Sequence, residues 1–600
     1  MSEPPLLQLQ DLTVGYKTRR GTGYAVRGVD LTIRSGESWA IVGESGSGKS
    51  SLALAVMGLL DRQTSEVSGS ARYDGRELLT MSERELRDLR GSHIGMIFQD
   101  PMTCLTPHLR IGDQVAEPLV CHHNTPWSNA RKEAAELLGA MGIQNPAERA
   151  RQYPHEFSGG MRQRAMIASA MACGPQLLVA DEPTTALDVT IQQQILDLLR
   201  QERQKRNLTV LLITHDLGVV SELCDHIAVL YAGRVVETGP AAAVFADPQH
   251  PYTRALLRAV PRTDQAAGGE LFSLSGQPPS PLDDIYGCPF APRCNHAEPR
   301  CHKERPELPA SDGHAKACHV SLAKFALPAS DLSERQAANH SPALSCQDLA
   351  VSYPIRKGMF SRERHAVLKG IDLTVGQGEI VGLVGESGCG KTTLLRTVLG
   401  LQQPDSGSVT VCGLGAAQDS HQRRFLFSKV QLVFQDPYAS LNPRRRIGWS
   451  IAEPLRNFTN QSRAEIEESV RALLGEVGLD ASWSARYPHE FSGGQRQRIG
   501  IARALAVSPQ VLLCDEPVSA LDVSIQAQIL NLLSELRKTR NVAILFVSHD
   551  LAVVRQMADR VAVMRKGRII ECRPTDALFA APEQPYTRQL LAAAPKVPAV

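Results

Sequence analysis

The chain has 600 residues, more than a single hydrophobic core usually supports, so its length predicts several domains. Its 65 lysines and arginines nearly balance 63 aspartates and glutamates. That balance excludes a general electrostatic attraction to nucleic acid or to an anionic membrane. The N-terminal sequence lacks a signal-peptide pattern and no stretch has 18 consecutive apolar residues, so we expect a soluble, cytoplasmic protein.

An internal duplication organises the sequence. Five stretches occur twice in the same order, at 43–50 and 385–392, 98–101 and 434–437, 153–164 and 487–498, 180–192 and 514–526, and 213–217 and 547–551. From the third stretch onward the two copies are separated by a constant 334 positions. The repeat predicts two homologous domains, residues 1–262 and 344–600, joined by a Pro- and Cys-rich extension and linker, residues 263–343.

Short apolar runs alternate with helical patterns inside each copy. WAIVG at 39–43 and EIVGLVG at 379–385 each precede a glycine-rich turn and a helix-like segment. QLLVADE and VLLITHD are typical of further buried strands, and the stretch from about residue 100 to 170 is mainly helical in pattern. Each copy is therefore predicted to be an α/β domain, a parallel sheet with an inserted helical subdomain.

The pattern GxxxxGK[ST] between a strand and a helix is a specific signal for phosphate binding. Its backbone amides surround an anion, its lysine reaches the outer phosphates, and its final hydroxyl ligates magnesium. The alternative, a glycine-rich turn with an incidental lysine, is disfavoured by two full matches. The candidate residues are Gly43, Ser45, Gly46, Gly48, Lys49, Ser50 and Ser51, and in the second copy Gly385, Ser387, Gly388, Gly390, Lys391, Thr392 and Thr393.

An Asp-Glu pair follows a buried strand in each copy. Because ligands of α/β sheets bind at the carboxyl ends of the strands, these acids are expected to face the phosphates. Asp181 and Asp515 suit the magnesium shell, whereas Glu182 and Glu516 suit polarisation of the attacking water. An acidic strand end by itself is more often a solvated loop, and the preceding phosphate loop reverses that preference.

A histidine ends a further apolar strand in each copy. His215 and His549 occupy equivalent positions beyond the two Asp-Glu pairs. A lone histidine is by default a core residue bonded to the backbone. The equivalent placement favours a role in sensing the γ-phosphate.

These residues, in this order, resemble the ATP-binding cassette (ABC) ATPases over nearly all of both halves. SGG distinguishes that family from other P-loop NTPases. The resemblance implies an intramolecular head-to-tail pseudodimer in which each ATP lies between one cassette's phosphate loop and the other's SGG. The SGG residues expected to cap ATP held by Lys391 are Ser158, Gly159 and Gly160, and those for ATP held by Lys49 are Ser492, Gly493 and Gly494.

The same resemblance implies further roles in each cassette. Gln99 and Gln435 are implied to contact magnesium and water, Asp188 and Asp522 to cross the dimer, and Tyr16 and Tyr353 to stack on adenine. Since both glutamates and both histidines are present, we expect two active sites.

The sequence HPYTRALL at 250–257, its copy QPYTRQLL at 584–591 and the segment GCPFAPRC at 287–294 resemble the peptide/nickel group of ABC importers. This implies an ATP-hydrolysing motor for peptides or related solutes, peripheral on the cytoplasmic face of the inner membrane. Its implied partners are two transmembrane permease subunits and, indirectly, an extracytoplasmic substrate-binding protein, without nucleic acid. A soluble twin-cassette ATPase acting on ribosomes or nucleic acid remains the alternative.

Four of the thirteen cysteines fall within one 31-residue window, at Cys288, Cys294, Cys301 and Cys318. A reducing cytoplasm disfavours disulfides, so thiolate coordination of a metal is expected. The spacing lacks the close pairs usual in zinc sites, although nearby histidines offer further ligands: His296, His302, His314 and His319. The importer resemblance implies a four-iron, four-sulfur (4Fe-4S) cluster at these cysteines, with zinc as the alternative.

Overall fold

The computed structural model describes residues 4–184, 187–263, 269–309, 313–323, 341–356, 362–415, 420–438, 440–519 and 521–595. Strands of the first half and the extension are β1 (Leu7–Thr18), β2 (Gly21–Ile33), β3 (Ser38–Val42), β4 (Ser65–Tyr73), β5 (Arg76–Glu77), β6 (Ile94–Ile97), β7 (Leu177–Asp181), β8 (Thr209–Ile213), β9 (His226–Tyr231), β10 (Arg234–Pro240) and β11 (Ala315–Lys316). Strands of the second half are β12 (Pro342–Arg356), β13 (Arg362–Gly376), β14 (Ile380–Val384), β15 (Ser406–Val411), β16 (Val430–Val433), β17 (Val511–Asp515), β18 (Ala543–Val547), β19 (Arg560–Arg565) and β20 (Arg568–Pro574).

The helices follow the same duplication. The first half contains α1 (Lys49–Val56), α2 (Glu83–Leu89), α3 (Pro101–Cys104), α4 (Ile111–His123), α5 (Trp127–Ala140), α6 (Pro146–Arg149), α7 (Gly159–Met171), α8 (Val189–Arg206), α9 (Leu217–Leu223), α10 (Ala241–Ala246) and α11 (Pro251–Ala259). The second contains α12 (Lys391–Val398), α13 (Ser420–Lys429), α14 (Ile447–Phe458), α15 (Arg463–Glu476), α16 (Gly493–Leu505), α17 (Val523–Arg540), α18 (Leu551–Met557), α19 (Thr575–Ala580) and α20 (Pro585–Ala592).

Each cassette contains a mainly parallel sheet and a smaller antiparallel sheet. The strand orders of the larger sheets are β11-β10-β9-β3-β8-β7-β6 and β16-β17-β18-β14-β19-β20. The central strands β3 and β14 are buried and lead directly into the glycine-rich loops before α1 and α12. This places both phosphate loops at the carboxyl edge of a parallel sheet, where α/β proteins bind ligands.

The helical subdomains lie where the sequence predicts them. Helices α3 to α7 fill residues 101–171, and α14 to α16 occupy the corresponding part of the second cassette. Their apolar faces join the core beneath the larger sheet; Ile111, Val115 and Leu119 of α4 are almost fully buried. The predicted α/β fold with an inserted helical subdomain is confirmed.

The extension packs on both cassettes. Strand β11 pairs antiparallel with β10, so it adds an edge strand to the first cassette's sheet. The Leu271 amide donates to Asn531 Oδ1 at 3.0 Å, and the Asn531 side chain returns a bond to the Leu271 carbonyl at 2.7 Å. The described part of the segment is therefore anchored at both ends. Among the described residues, no helix has the length and apolarity needed to cross a membrane.

Candidate nucleotide sites

Each glycine-rich loop closes around its lysine. Lys49 Nζ donates to the carbonyl oxygens of Gly43 at 2.7 Å and Glu44 at 2.9 Å, and Lys391 makes the equivalent bonds to Gly385 and Glu386. Burial lowers the pKa of Lys49, although nearby carboxylates oppose that shift. The ammonium groups are thus held at the loop, in position to meet phosphate oxygens.

Glycine is required where the loop enters the helix. Gly48 has φ +103°, and a Cβ there would lie 2.1 Å from the carbonyl oxygen of Ala25. Gly390 occupies the same left-handed region with φ +114°. A side chain at either position would strain the backbone and collide with a neighbour, so the loop needs glycine there.

Oxygen donors suited to magnesium meet beside each lysine. Ser50 Oγ lies 3.3 Å from Asp181 Oδ1. Burial raises the pKa of Asp181, and burial likewise raises that of Asp515, whose carboxyl group bonds with Thr392. Hydroxyl and carboxylate oxygens are the ligands that magnesium prefers, and a divalent cation would favour the ionised carboxylates.

The second acid of each pair is held by the other two predicted side chains. Gln99 Nε2 donates to Glu182 Oε2 at 2.9 Å, and His215 Nδ1 lies 3.1 Å from Oε1. The sequence-distant residues Gln99, Glu182 and His215 are thereby brought together. The pKa of His215 is raised because the bond and charge of Glu182 outweigh the effect of burial.

The second cassette repeats this contact set. Gln435 Nε2 donates to Glu516 Oε2 at 2.9 Å, and His549 Nδ1 lies 3.2 Å from the same oxygen. Although burial raises the pKa of Glu516, the His549 bond and charge outweigh it, so the net shift is downward. Both glutamates have left-handed backbones, with φ +49° at Glu182 and +45° at Glu516. Such strain is typical of functional positions, and no residue pattern around the two glutamates indicates it.

A cavity of about 610 Å³ lies between the cassettes. His215 and Asp216 of the first cassette and His549 and Asp550 of the second are among its lining residues. Burial raises the pKa of Asp550, and the charge of Asp216 adds to that rise. The candidate histidines of the two cassettes, His215 and His549, therefore face a shared space at the interface.

The aspartates expected to cross the dimer contact the opposite phosphate loops. Asp522 Oδ2 accepts from the Ser45 amide at 3.2 Å, and Asp188 Oδ2 accepts from the Ser387 amide at 3.3 Å. Both aspartates also cap the helix that follows, accepting from an amide three residues on. The two cassettes are thus arranged head to tail, as the resemblance implies.

A cavity of about 510 Å³ surrounds the first phosphate loop and includes Tyr16, Gln99 and Glu182 in its lining. Tyr16 donates its hydroxyl to Ser51 Oγ at 3.0 Å. Tyr353 is half-buried against the core beneath the second antiparallel sheet. The two tyrosines expected to contact adenine therefore have different surroundings. Tyr16 lines an open cavity, whereas Tyr353 packs against the core.

The SGG triplets lie at helix starts outside that cavity. Ser158 and Ser492 cap α7 and α16, with side-chain oxygens accepting from amides at 3.3 and 3.4 Å. Gly160 packs against Ile191 and Gly494 against Ile525, too closely for a Cβ. The remaining members, Gly159 and Gly493, have open space or an ordinary contact beside them. The lining of the 510 Å³ cavity does not include Ser492, Gly493 or Gly494 among the described residues.

The extension lines the first cavity instead, which sequence reasoning missed. Ser280, Pro281 and Leu282 lie beside Tyr16 there. The Pro281 carbonyl accepts from the Tyr24 amide and from the Arg27 guanidinium, both at 2.8 Å. No local pattern links positions more than 250 residues apart, so the sequence offers no signal for this contact.

The four clustered cysteines, Cys288, Cys294, Cys301 and Cys318, line one small cavity of about 10 Å³. Burial raises the pKa of the Cys288 thiol to about 11, and neighbouring thiols add to that rise. Among the described residues, no three His, Cys, Asp or Glu side chains are arranged to hold a metal ion. The cysteines therefore converge without forming a ready single-ion site.

Two of the candidate histidines have other partners, and one histidine was missed. His314 Nε2 lies 2.7 Å from Glu237 Oε1, and His319 Nε2 lies 3.1 Å from the Glu304 carbonyl oxygen. His250, which was not among the candidates, lines the cysteine cavity together with the candidate His319. His296 and His302 are not among that cavity's lining residues.

Comparison with known proteins assigns the chain to a family. The model described as "ABC transporter" matches residues 26–185 and 368–519, and that described as "Oligopeptide/dipeptide transporter, C-terminal region" matches 236–301 and 570–599. The oligopeptide transport ATP-binding protein OppD of Mycobacterium tuberculosis is 46% identical over 99% of this chain and 98% of its own length. The glutathione import ATP-binding protein GsiA is 41% identical in Escherichia coli K12, over 98% of this chain and 89% of GsiA, and 41% identical in Pectobacterium atrosepticum, over 99% and 90%. The chain belongs to the ABC transporter family and is a transport ATPase with two cassettes.

Proposed function

We propose that this chain is the ATP-hydrolysing motor subunit of an importer for peptides or related small solutes such as glutathione. The observation that carries the proposal is the match to OppD and GsiA over almost the whole chain, including both cassettes and the extension. Neither relative is named for an activity on ribosomes or nucleic acid, and the chain's charge balance gives no general attraction to such partners. Transport is therefore favoured over the alternative.

In this proposal Glu182 and Glu516 activate the water that attacks the γ-phosphate. A carboxylate held by an amide and an imidazole is fixed in orientation, and orientation is a large part of catalysis in phosphoryl transfer. His215 and His549 hold this carboxylate and sense the γ-phosphate. Magnesium, held by Ser50 and Gln99 in one site and Thr392 and Gln435 in the other, would neutralise phosphate charge.

ATP binding is proposed to draw each SGG helix start onto the opposite phosphate loop. The first amides of α7 and α16 have no partner within their helices, and the positive end of a helix dipole favours an anion. Because Gly159 and Gly493 have no side chain, a phosphate can approach the backbone closely. Each cassette would then complete its partner's site, which accounts for the duplicated SGG.

Attachment to the permeases is proposed to use the surfaces that follow the two Q-loop glutamines, residues 102–119 and 438–455. Exposed large apolar side chains lie at these surfaces: Leu109 is 41% exposed and Tyr438 63%. Exposed apolar side chains of this size favour a protein partner. In this proposal the chain is peripheral on the cytoplasmic face of the inner membrane and contacts two permease subunits.

Co-purification with separately tagged permeases tests the proposed partners. We expect the wild-type chain to be retained and Tyr438→Glu, which places a charge at the docking surface, to be retained poorly while keeping its basal ATPase. Lys303→Glu, on the exposed extension, is a matched control. Retention on ribosomes or DNA, without retention on permeases, would contradict the proposal.

We further propose that the four clustered cysteines hold a 4Fe-4S cluster rather than zinc. The donor set fits, because four thiols line one cavity. A single zinc ion needs all four sulfurs within about 2.3 Å of the metal. A cluster would bind each thiolate at a different iron, so the four sulfurs could lie farther from one another. The cavity has room for about one water, so either group would require the side chains to rotate outward.

Metal analysis after anaerobic purification tests this assignment. We expect about four irons and four sulfides per chain by the stoichiometry of the cluster, and loss of iron in Cys301→Ser. Cys412→Ser, a half-buried cysteine of the second cassette, is the control and should retain iron. One zinc per chain without iron would contradict the cluster, and a folded, metal-free chain would contradict the metal site.

A further inference from the structure

A buried ion pair joins the extension to the first phosphate loop. Arg293, at the end of the short 3₁₀ helix Ala291–Arg293, donates to Glu44 through both terminal nitrogens, at 2.7 and 3.1 Å. Each side chain is only 5% exposed. Arg293 Nε also donates to the Ser275 carbonyl at 3.0 Å, so the guanidinium is fixed by the extension itself. This two-bond geometry is the strong form of an arginine–carboxylate contact.

Glu44 also contacts the second cassette. Ser524 Oγ lies 2.5 Å from Glu44 Oε1 and 2.8 Å from Asp522 Oδ1. A hydroxyl carries one proton and so cannot donate fully to two carboxylates. At the interface the carboxylates of Glu44 and Asp522 therefore share one hydroxyl donor. Arg293 supplies a positive charge to Glu44. The Ser45 amide, bonded to Asp522, completes the junction at 3.2 Å.

The second phosphate loop has a simpler junction. The Ser387 amide donates to Asp188 at 3.3 Å, as in the first site. Thr190 occupies the position equivalent to Ser524. Within the described ranges, no arginine or lysine pairs with Glu386, the counterpart of Glu44. The ion pair is thus a feature of one site.

Removing the guanidinium would leave the Glu44 carboxylate buried without its cation. Lys49 is a cation close by: its Nζ donates to the Glu44 backbone carbonyl at 2.9 Å, and the carboxylates of Asp522 and Glu44 act on its charge. An unpaired carboxylate there would compete with the nucleotide phosphates for Lys49, and its negative charge would repel those phosphates. Affinity for an anionic nucleotide should fall.

We propose that Arg293 is a positioning residue of the first nucleotide site, which makes the Cys-rich extension a support for ATP binding at that site and not at the second. The inference rests on the proposed assignment of Lys49 and its loop as a nucleotide site. It adds a control on that site from outside the two cassettes. Order in the extension and ATP binding are then linked through one side chain.

Binding of a fluorescent ATP analogue, mant-ATP with magnesium, to the full chain tests the inference. Lys391→Ala confines binding to the first site, and Lys49→Ala confines it to the second. We expect Arg293→Met to weaken binding at the first site about tenfold or more, since a charge-paired contact is lost, and to change the second site less than twofold. Arg300→Met, at an exposed arginine paired with Glu298 in the same extension, is the matched control and should change neither.

A second substitution separates charge balance from lost packing. Arg293→Met combined with Glu44→Gln removes both charges, so binding should recover to within about threefold of the starting protein. Binding within twofold of the starting protein in Arg293→Met, or no recovery in the double variant, would overturn the inference. If Arg293→Met does not fold by thermal unfolding, Arg293→Gln replaces it and carries the same expectations. If mant-ATP fails to bind to the Lys391→Ala variant, in which Lys49 is the remaining phosphate-loop lysine, the assignment of the first nucleotide site is refuted. The inference then fails with it.

Discussion

The two nucleotide sites carry the same motifs but are supported by different surroundings. At the first, Glu44 is paired with Arg293 and Ser524, and Pro281 lies in the cavity wall. At the second, Arg565 occupies the position of Tyr231 and lies 4.5 Å from the ring centre of Tyr586. The groups proposed to touch phosphate are thus the same in both copies, whereas the groups that hold them differ. Matching motifs therefore do not by themselves imply equal affinity for nucleotide at the two sites.

Both sites share a proposed catalytic glutamate, so removing the two glutamates together should cost the most ATPase activity. In Glu182→Gln with Glu516→Gln, both proposed bases become neutral amides that keep the size and one oxygen of the carboxylate. We expect ATP hydrolysis to fall by a hundredfold or more while mant-ATP still binds. Single variants serve as controls that compare the sites. Turnover near the wild-type rate in the double variant would remove both glutamates from the proposed catalysis.

The contacts of Asp188 and Asp522 across the cassette interface should contribute unequally to ATPase activity. Asp188→Asn and Asp522→Asn each replace the carboxylate that accepts from a phosphate-loop amide, and asparagine can still cap the following helix. We expect about a tenfold loss of ATPase for Asp188→Asn and about threefold for Asp522→Asn, because only the first site keeps a second junction through Glu44. Equal losses in steady-state ATPase, or the opposite order, would contradict the difference in support.

A smaller effect concerns the cavity wall that the extension provides. Leu282→Ala removes apolar surface beside Tyr16, where the base of the nucleotide is expected. We expect about threefold weaker mant-ATP binding in the Lys391→Ala background, from the loss of apolar surface that a bound nucleotide would cover. The same substitution with Lys49→Ala measures the second site and should have no effect there. Equal weakening in both backgrounds would show that Leu282 acts on the fold as a whole.

The smallest effect concerns the SGG helix starts. Gln495 Oε1 accepts from the Ser492 amide at 3.0 Å, a bond that Met161 cannot make in the first copy. Gln495→Met should therefore destabilise the start of α16 by about 0.5–1 kcal/mol. Hydrogen–deuterium exchange of residues 487–505 should become a few times faster, with the start of α7 as the internal reference. Unchanged exchange would mean that the bond contributes nothing to the helix start.

The motif residues were the predictable part of the fold and site. Lys49, Asp181 and His215 lie in local patterns, an apolar strand followed by a polar residue or glycine turn, whose structure follows from residues next to them. The left-handed backbone at Glu182 could not be predicted, because it is imposed by packing around the strand end. The pairing of Arg293 with Glu44 likewise depends on how a linker folds back over 249 positions. Contacts of that range leave no spacing signal in a single sequence.

ATP-driven uptake into proteoliposomes tests whether this chain powers import of peptides or glutathione. The vesicles would contain the full chain with its candidate permease subunits and binding protein, and uptake of radiolabelled oligopeptide and glutathione would be measured with ATP at the cassette side. We expect uptake of at least one of these solutes with the wild-type chain and none with Glu182→Gln plus Glu516→Gln, while both proteins remain bound to the permeases. Equal uptake by the two proteins, or ATP hydrolysis by the assembled wild-type complex with no uptake of any peptide or glutathione, would contradict this expectation.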